Sequence, residues 1–122
     1  MKHCLVVDDS NVVRKVARRI MEELAFEVLE AEDGAQALEM CRRIIPDIIL
    51  LDWSMPVMNG VEFLRTLRAN VPEGARPRVV FCATENDIAQ IAKAMRAGAD
   101  DFMMKPFDRD QLEAKLQEIG AI

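Results

Sequence analysis

Ile48-Ile49-Leu50-Leu51-Asp52 is an unbroken apolar run that ends on a carboxylate, and it restricts the fold more than any other stretch of the chain. Pro46-Asp47 stop it on one side and Met55-Pro56 on the other. A run this short and this uniformly apolar predicts a strand buried on both faces, as in a parallel sheet. Asp52 then stands at its carboxyl end. In open parallel sheets ligands bind outside that edge, in the crevice where the strand order reverses. An acid there has a functional reading that an acid in mid-strand lacks.

Around this strand the chain alternates strand and helix about five times. Cys4-Leu5-Val6-Val7 leads to Asp8-Asp9, and Ser10 is placed to cap a helix. In that helix Val13, Val16, Ala17, Ile20 and Leu24 recur at three and four residues as the buried stripe, while Arg14, Lys15, Arg18 and Arg19 gather on another side. That charge run reads first as a solvated face and, alternatively, as a docking surface for an acidic partner. The segment 25–31, with Phe26, Val28 and Leu29, is a less uniformly apolar strand that suits a sheet edge. Asp33 and Gln36 have capping-box spacing ahead of a helix to about Ile45, with Ala37, Leu38, Cys41 and Ile45 inward.

The loop 53–59 feeds a helix over about 60–68, and 69–77 is a turn-rich surface loop. Residues 79–83 form the fourth strand, ending at Thr84. Ile88, Ile91, Ala92 and Met95 mark the next helix, with Gly98 as its left-handed cap. Asp101-Phe102-Met103-Met104 is a fifth strand running into Lys105-Pro106, and a last helix starts near Asp108, boxed with Gln111. Such alternation implies right-handed crossovers and one doubly wound parallel sheet with helices on both faces. Its 122 residues have room for a single core, so one domain over 1–122 is expected, with no separate output module.

Composition narrows the function classes. A formal net charge of −5 argues against general nucleic-acid binding, which needs a basic footprint. No apolar run approaches a membrane span, and Lys2 and His3 lead directly into the first strand without a signal-peptide pattern, so a cytoplasmic location is expected. Cys4, Cys41 and Cys82 have neither disulfide nor zinc spacing and read as small buried hydrophobes. His3, at the amino end of the first strand, lies opposite the expected site.

A parallel sheet brings Asp8, Asp9, Asp52, Thr84 and Lys105 to one edge although they are far apart in sequence. Three crowded carboxylates repel one another, and a divalent cation resolves the conflict. Magnesium takes oxygen ligands, is held by one or two carboxylates and accepts phosphate oxygens besides. Strand alternation predicts that Asp8 and Asp9 cannot both point at the ion, so that one acts through water. Lys105 and Thr84 add a fixed cation and a hydroxyl donor, a set that suits phosphoryl transfer with Asp52 as nucleophile.

These features together resemble the receiver domain of two-component response regulators, specifically the stand-alone, chemotaxis-type (CheY-like) receivers. The carriers are Val7-Asp8-Asp9-Ser10, Asp52-Trp53-Ser54-Met55-Pro56-Val57-Met58-Asn59-Gly60, Thr84, Gly98-Ala99 and Lys105-Pro106-Phe107, and the match spans essentially the whole chain. The resemblance implies a flavodoxin-like sheet of order 2-1-3-4-5. It implies that Asp52 accepts a phosphoryl group from a phosphohistidine on a sensor histidine kinase or phosphotransfer protein. Magnesium would be bound directly by Asp9, Asp52 and the backbone carbonyl of Ser54, with Asp8 helping through water. Thr84 would move to the phosphoryl group, Lys105 would pair with it, and the Lys105–Pro106 bond would be cis. Phe102 would rotate inward, changing the affinity of the face formed by the fourth helix, fifth strand and fifth helix for a downstream protein.

Such a chain is a phosphoacceptor that assists its own phosphorylation and dephosphorylation rather than an enzyme. Two departures stand out: Phe102 lacks the hydroxyl of a tyrosine, and Glu85 follows Thr84 where the family usually has a small residue, so slower phosphorylation, or altered access of water and phosphatase, is expected relative to Glu85→Ala. Ser54 and Asn86 fall where the family tunes phosphoryl lifetime. The nearest rival role is a phosphorelay intermediate or phosphate sink. A magnesium-dependent phosphohydrolase would want an acid at Ser54, and a flavin binder would want a Gly-, Ser- or Thr-rich loop where Asp8-Asp9-Ser10-Asn11 stands.

Overall fold

Alternate residues of β3 (Ile48–Asp52) leave the sheet in opposite directions, and both directions are covered. In the computed structural model, which describes residues 1–122, Ile49 and Leu51 join Leu5 and Val7 of β1 (His3–Val7) and Val79, Phe81 and Ala83 of β4 (Arg78–Ala83) in one cluster. Ile48 and Leu50 join Cys4, Val6, Val80 and Cys82 in a second. The first face is closed by α2 (Gly34–Arg43), α3 (Gly60–Asn70) and α4 (Ile88–Ala97), and the second by α1 (Asn11–Glu23) and α5 (Arg109–Glu118). Each large apolar side chain taken fully out of water this way contributes about 1.5–3 kcal/mol. This two-sided burial is why β3 reads as a continuous apolar run. Burial also pushes the Cys41 thiol up to about 11 and the Cys82 thiol up to about 12, leaving both as inert packing.

All strands are parallel, in the order β2-β1-β3-β4-β5, with β2 (Glu27–Ala31) and β5 (Asp101–Met104) at the edges. The register pairs Val7 with Leu51 and Asp52 with Cys82, so the carboxyl ends of β1, β3 and β4 finish level. The order reverses between β1 and β3, which opens the crevice at Asp8 and Asp52. No helix is long and apolar enough to cross a membrane.

Local signals place the helix starts. Ser10 accepts from Val13 N at 3.2 Å and Asp33 from Gln36 N at 2.8 Å, while Asn59 with Glu62 and Asp108 with Gln111 form reciprocal boxes. Gly98 ends α4 at φ 116°, a left-handed position that a side chain would strain. Gly60 has a different reason: a Cβ there would collide with the Asp52 carbonyl oxygen, so only glycine lets α3 begin against the end of β3.

Two expectations are corrected. On α1 the buried side chains are Arg14, Ala17, Ile20 and Met21, whereas Val16 is 48% exposed. The helix is rotated relative to the apolar stripe because Arg14 finds partners on β2. Helix α2 stops at Arg43, ahead of Ile45, since Pro46 pushes the residues before it into extended backbone. On α4 only Ala94 is fully buried; Ile88 and Met95 face solvent.

Candidate functional site

The end of β1 and the end of β3 set two carboxylates side by side with little access to water: Asp8 and Asp52 are both buried. Between them comes Lys105 from the end of β5, whose Nζ donates to Asp52 Oδ1 at 2.9 Å and to Asp8 Oδ2 at 3.1 Å. The Lys105 backbone N–H donates to the Ala83 carbonyl, and its bond to Pro106 is cis. Burial raises the Asp52 carboxyl above its ordinary range, and the neighbouring Asp8 adds to the rise against the opposing pull of Lys105. Burial works to lower the Lys105 ammonium, but Asp52 and Asp8 outweigh it and hold the group above its ordinary value. Lys105 is a permanent cation.

Both Asp8 oxygens accept a hydrogen bond, the second from Ser10 N at 2.9 Å. Asp9 is exposed and its carboxylate accepts no hydrogen bond from the protein. One oxygen from each of Asp8, Asp9 and Asp52 lies within 4.8 Å of the others. Because β1 ends at Val7, the pleat by itself does not fix the relative directions of Asp8 and Asp9. Three carboxylates against one ammonium leave two negative charges uncompensated, and an all-oxygen set of this kind fits a hard divalent cation. Ser54 follows in the exposed loop, and neither its carbonyl nor its hydroxyl is bonded within the protein.

Thr84, directly after β4, stands beside Lys105 along a groove of about 380 Å³ whose other walls are Val12, Val13 and Val16 of α1 with Pro106 and Phe107. Its hydroxyl donates to Asp87 rather than into the acidic cluster. Phe102 is turned outward, 39% exposed, with the Lys115 ammonium 6.0 Å from its ring centre. Glu85 and Asn86 are exposed. His3 lies at the far end of the sheet, paired with Glu27 at 3.2 Å.

Two residues of the site region escaped the sequence reading. Arg14, assigned above to a solvated charge run, is buried: Nη1 donates to the Asp8 carbonyl at 2.7 Å and Nε to Glu30 at 3.1 Å. Its spacing three before Ala17 and seven before Met21 was the available signal. Arg18 is also spent internally, on Glu30 and Glu22, so of the four basic residues only Lys15 and Arg19 remain exposed and without a partner. The second is Asp87, whose threonine-x-x-aspartate spacing from Thr84 is that of a cap.

A doubly wound parallel sheet with a lysine-braced acidic cleft at its switch point defines a class of α/β domains that bind ligands at the carboxyl edge of the sheet. Residues 4–117 match the response regulator receiver domain, and the chain belongs to that family. It is 34% identical over 119 residues to the chemotaxis protein CheY of Listeria monocytogenes, covering 97% of this chain and 98% of that one. Among solved structures it superposes on the chemotaxis response regulator CheY4 of Vibrio cholerae with a TM-score of 0.88 at 29% identity, covering 98% of each chain. It superposes equally, with a TM-score of 0.88 at 30% identity and 98% of each chain, on the receiver domain of a Pseudomonas aeruginosa sensor histidine kinase that has a magnesium ion coordinated in its active-site cleft.

Proposed function

We propose that this chain is a phosphorylation switch in which Asp52 is the phosphoacceptor, acting as a response regulator in two-component signalling of the chemotaxis type. The observation that carries the reading is the buried Asp52 carboxylate held by Lys105 beside Asp8 and Asp9. An Asp52 oxygen attacks the phosphorus of a phosphohistidine, the phosphorus–nitrogen bond breaks, and the imidazole nitrogen leaves with the electron pair. Lys105, already beside the attacking oxygen, offsets the charge of the transferring group.

Asp9 and Asp52, with the Ser54 carbonyl, are the residues that would hold magnesium directly. Their support is that Asp9 and the Ser54 carbonyl are free of internal bonds while both Asp8 oxygens are taken, which leaves Asp8 to act through water. Magnesium there would neutralise the carboxylates and the incoming phosphoryl oxygens. The donor is a sensor histidine kinase or phosphotransfer protein, which reaches Asp52 across the apolar groove between α1 and Pro106-Phe107.

The output is a change in binding to a downstream protein through α4, β5 and α5. In its support, Ile88, Met95, Phe102 and Met104 on α4 and β5 are 59%, 39%, 39% and 37% exposed, apolar area that a switch can offer or withdraw. That surface favours a switch over a simple phosphate sink. The chain would then promote its own phosphorylation and dephosphorylation without turning over a separate substrate.

The test is intact-protein mass after incubation with magnesium and acetyl phosphate, beside Asp52→Asn. A labile phosphoryl adduct that needs both magnesium and Asp52 is the expected result. Absence of an adduct with acetyl phosphate and with cognate kinase would make the fold a phosphorylation-independent binding module.

A further inference from the structure

Thr84 has one hydroxyl proton to donate, and the structure shows where it goes. Thr84 Oγ1 donates to Asp87 Oδ2 at 2.9 Å, and Thr84 N donates to the same oxygen at 3.0 Å. Asp87 N returns a bond to the Thr84 carbonyl at 2.9 Å, closing the 3-10 turn over Glu85–Asp87. A hydroxyl given to Asp87 cannot at the same time be given to an anion at Asp52. Because the acceptor is a carboxylate, the bond is of the stronger, charge-assisted kind. The carboxylate and a phosphoryl group on Asp52 therefore compete for the same proton.

We infer that Asp87 is a positioning residue that holds the Thr84 hydroxyl away from the phosphoacceptor site and so sets how readily the protein switches. The inference rests on the reading of Asp52 as phosphoacceptor. Asp87 immediately precedes α4, whose first residue is the exposed Ile88. Transfer of the hydroxyl to the phosphoryl group removes one of the two bonds to Asp87 Oδ2 and loosens the carboxylate at the start of that helix, where first-turn N–H groups lack partners and can donate to it as a cap. The event at Asp52 thereby reaches the helix that carries Ile88 and Met95. Neither Glu85 nor Asn86 makes a side-chain hydrogen bond in the turn, so Asp87 alone carries the restraint.

The experiment titrates the full chain with beryllium fluoride, a tetrahedral phosphoryl mimic that binds a carboxylate, at saturating magnesium, following the fluorescence of Trp53 beside Asp52. Wild type, Asp87→Ala, Asp87→Asn, Thr84→Val and the Asp87→Ala/Thr84→Val double variant are compared. Removing the competing carboxylate is expected to tighten beryllium fluoride binding roughly fivefold or more in Asp87→Ala. Asp87→Asn, which keeps the shape and loses the charge, should move in the same direction by less, and it serves if the alanine variant does not fold. In the Thr84→Val background Asp87→Ala should change nothing, an outcome that a merely structural role for the turn would not give.

Unchanged or weaker binding in both Asp87 variants would overturn the inference, as would an equal gain with Thr84 already removed. A wild type that does not bind beryllium fluoride, or an Asp52→Asn variant that binds it equally, would instead remove the phosphoacceptor reading, and the role of Asp87 with it.

Discussion

Arg14 and Glu30 show how single side chains brace the cleft. The guanidinium of Arg14 ties the Asp8 carbonyl to Glu30 on β2, and Arg18 donates to the second Glu30 oxygen at 2.6 Å. Partial burial works to raise the Glu30 carboxyl, but the hydrogen bonds from Arg18 and Arg14 outweigh it and hold it below the ordinary range. A carboxyl lowered on folding stabilises above its unfolded pKa, and that contribution is lost as pH falls through the lowered value. Glu30→Gln is therefore expected to cost about 1–2 kcal/mol at neutral pH and to converge on wild type as pH falls through the lowered value, as read by urea unfolding across pH. At Val57 the strain is in the backbone. Its φ is 69°, and Met58 N donates to the Pro56 carbonyl at 2.7 Å around it, a tight γ-turn that a β-branched residue tolerates poorly. Val57 is 82% exposed, so no packing offsets the strain. Val57→Asn should raise stability by about 1 kcal/mol, seen as a higher thermal midpoint.

Among the α-helices, α4 buries the fewest side chains, Ala94 alone, and is tied at both ends. Its amino end is tied through Asp87 to Thr84, and its carboxyl end is tied by Arg68 of α3. Arg68 donates to the Gly98 carbonyl from Nε and Nη2 at 3.2 and 2.8 Å, and from Nη1 to the Gly74 and Pro77 carbonyls at 3.0 and 2.8 Å. One side chain thus caps α4 and closes the loop before β4. Arg68→Ala leaves three carbonyls without this donor and should cost about 2–4 kcal/mol. Amide hydrogen exchange should show the loss of protection concentrated in 71–77 and around Gly98, leaving β1 and β3 unaffected. The capping residues Ser10, Asp33, Asn59 and Asp108 were legible because their partners lie three residues on. Arg68 was not, because its partners, Asp100 the farthest, lie 6 to 32 residues away.

At the level of the whole molecule, the cleft trades stability for chemistry. Asp52 has its carboxyl raised on folding, so its neutral form is favoured in the fold; that contribution is present below the unfolded pKa and lost as pH rises through the raised value. At neutral pH the ionised Asp52 beside Asp8 is a cost that a bound divalent cation would remove. Without magnesium, Asp52→Asn should be at least as stable as wild type, with the difference shrinking as pH falls and Asp52 is protonated. Magnesium at a hundredfold excess over its Kd should add about 2.7 kcal/mol to wild type and little to Asp52→Asn. Calorimetry with and without magnesium checks both; a magnesium gain in Asp52→Asn equal to that of wild type would place the ion elsewhere.

The parallel sheet, its helices on both faces and the gathering of Asp8, Asp9, Asp52, Thr84 and Lys105 at one edge were determined by the sequence alone. Apolar periodicity and the right-handedness of crossovers leave few other ways to bury β3. Tertiary structure decided which face each helix shows and which charge meets which. Val16 lies outward and Arg14 inward because Glu30 stands on the neighbouring strand, and the Thr84 hydroxyl is spent on Asp87 because a 3-10 turn brings the two together. Periodicity along one chain specifies an apolar stripe only to within a turn's rotation. The final orientation is set by polar partners brought close by folding, since burying a charge without one costs more than exposing a valine.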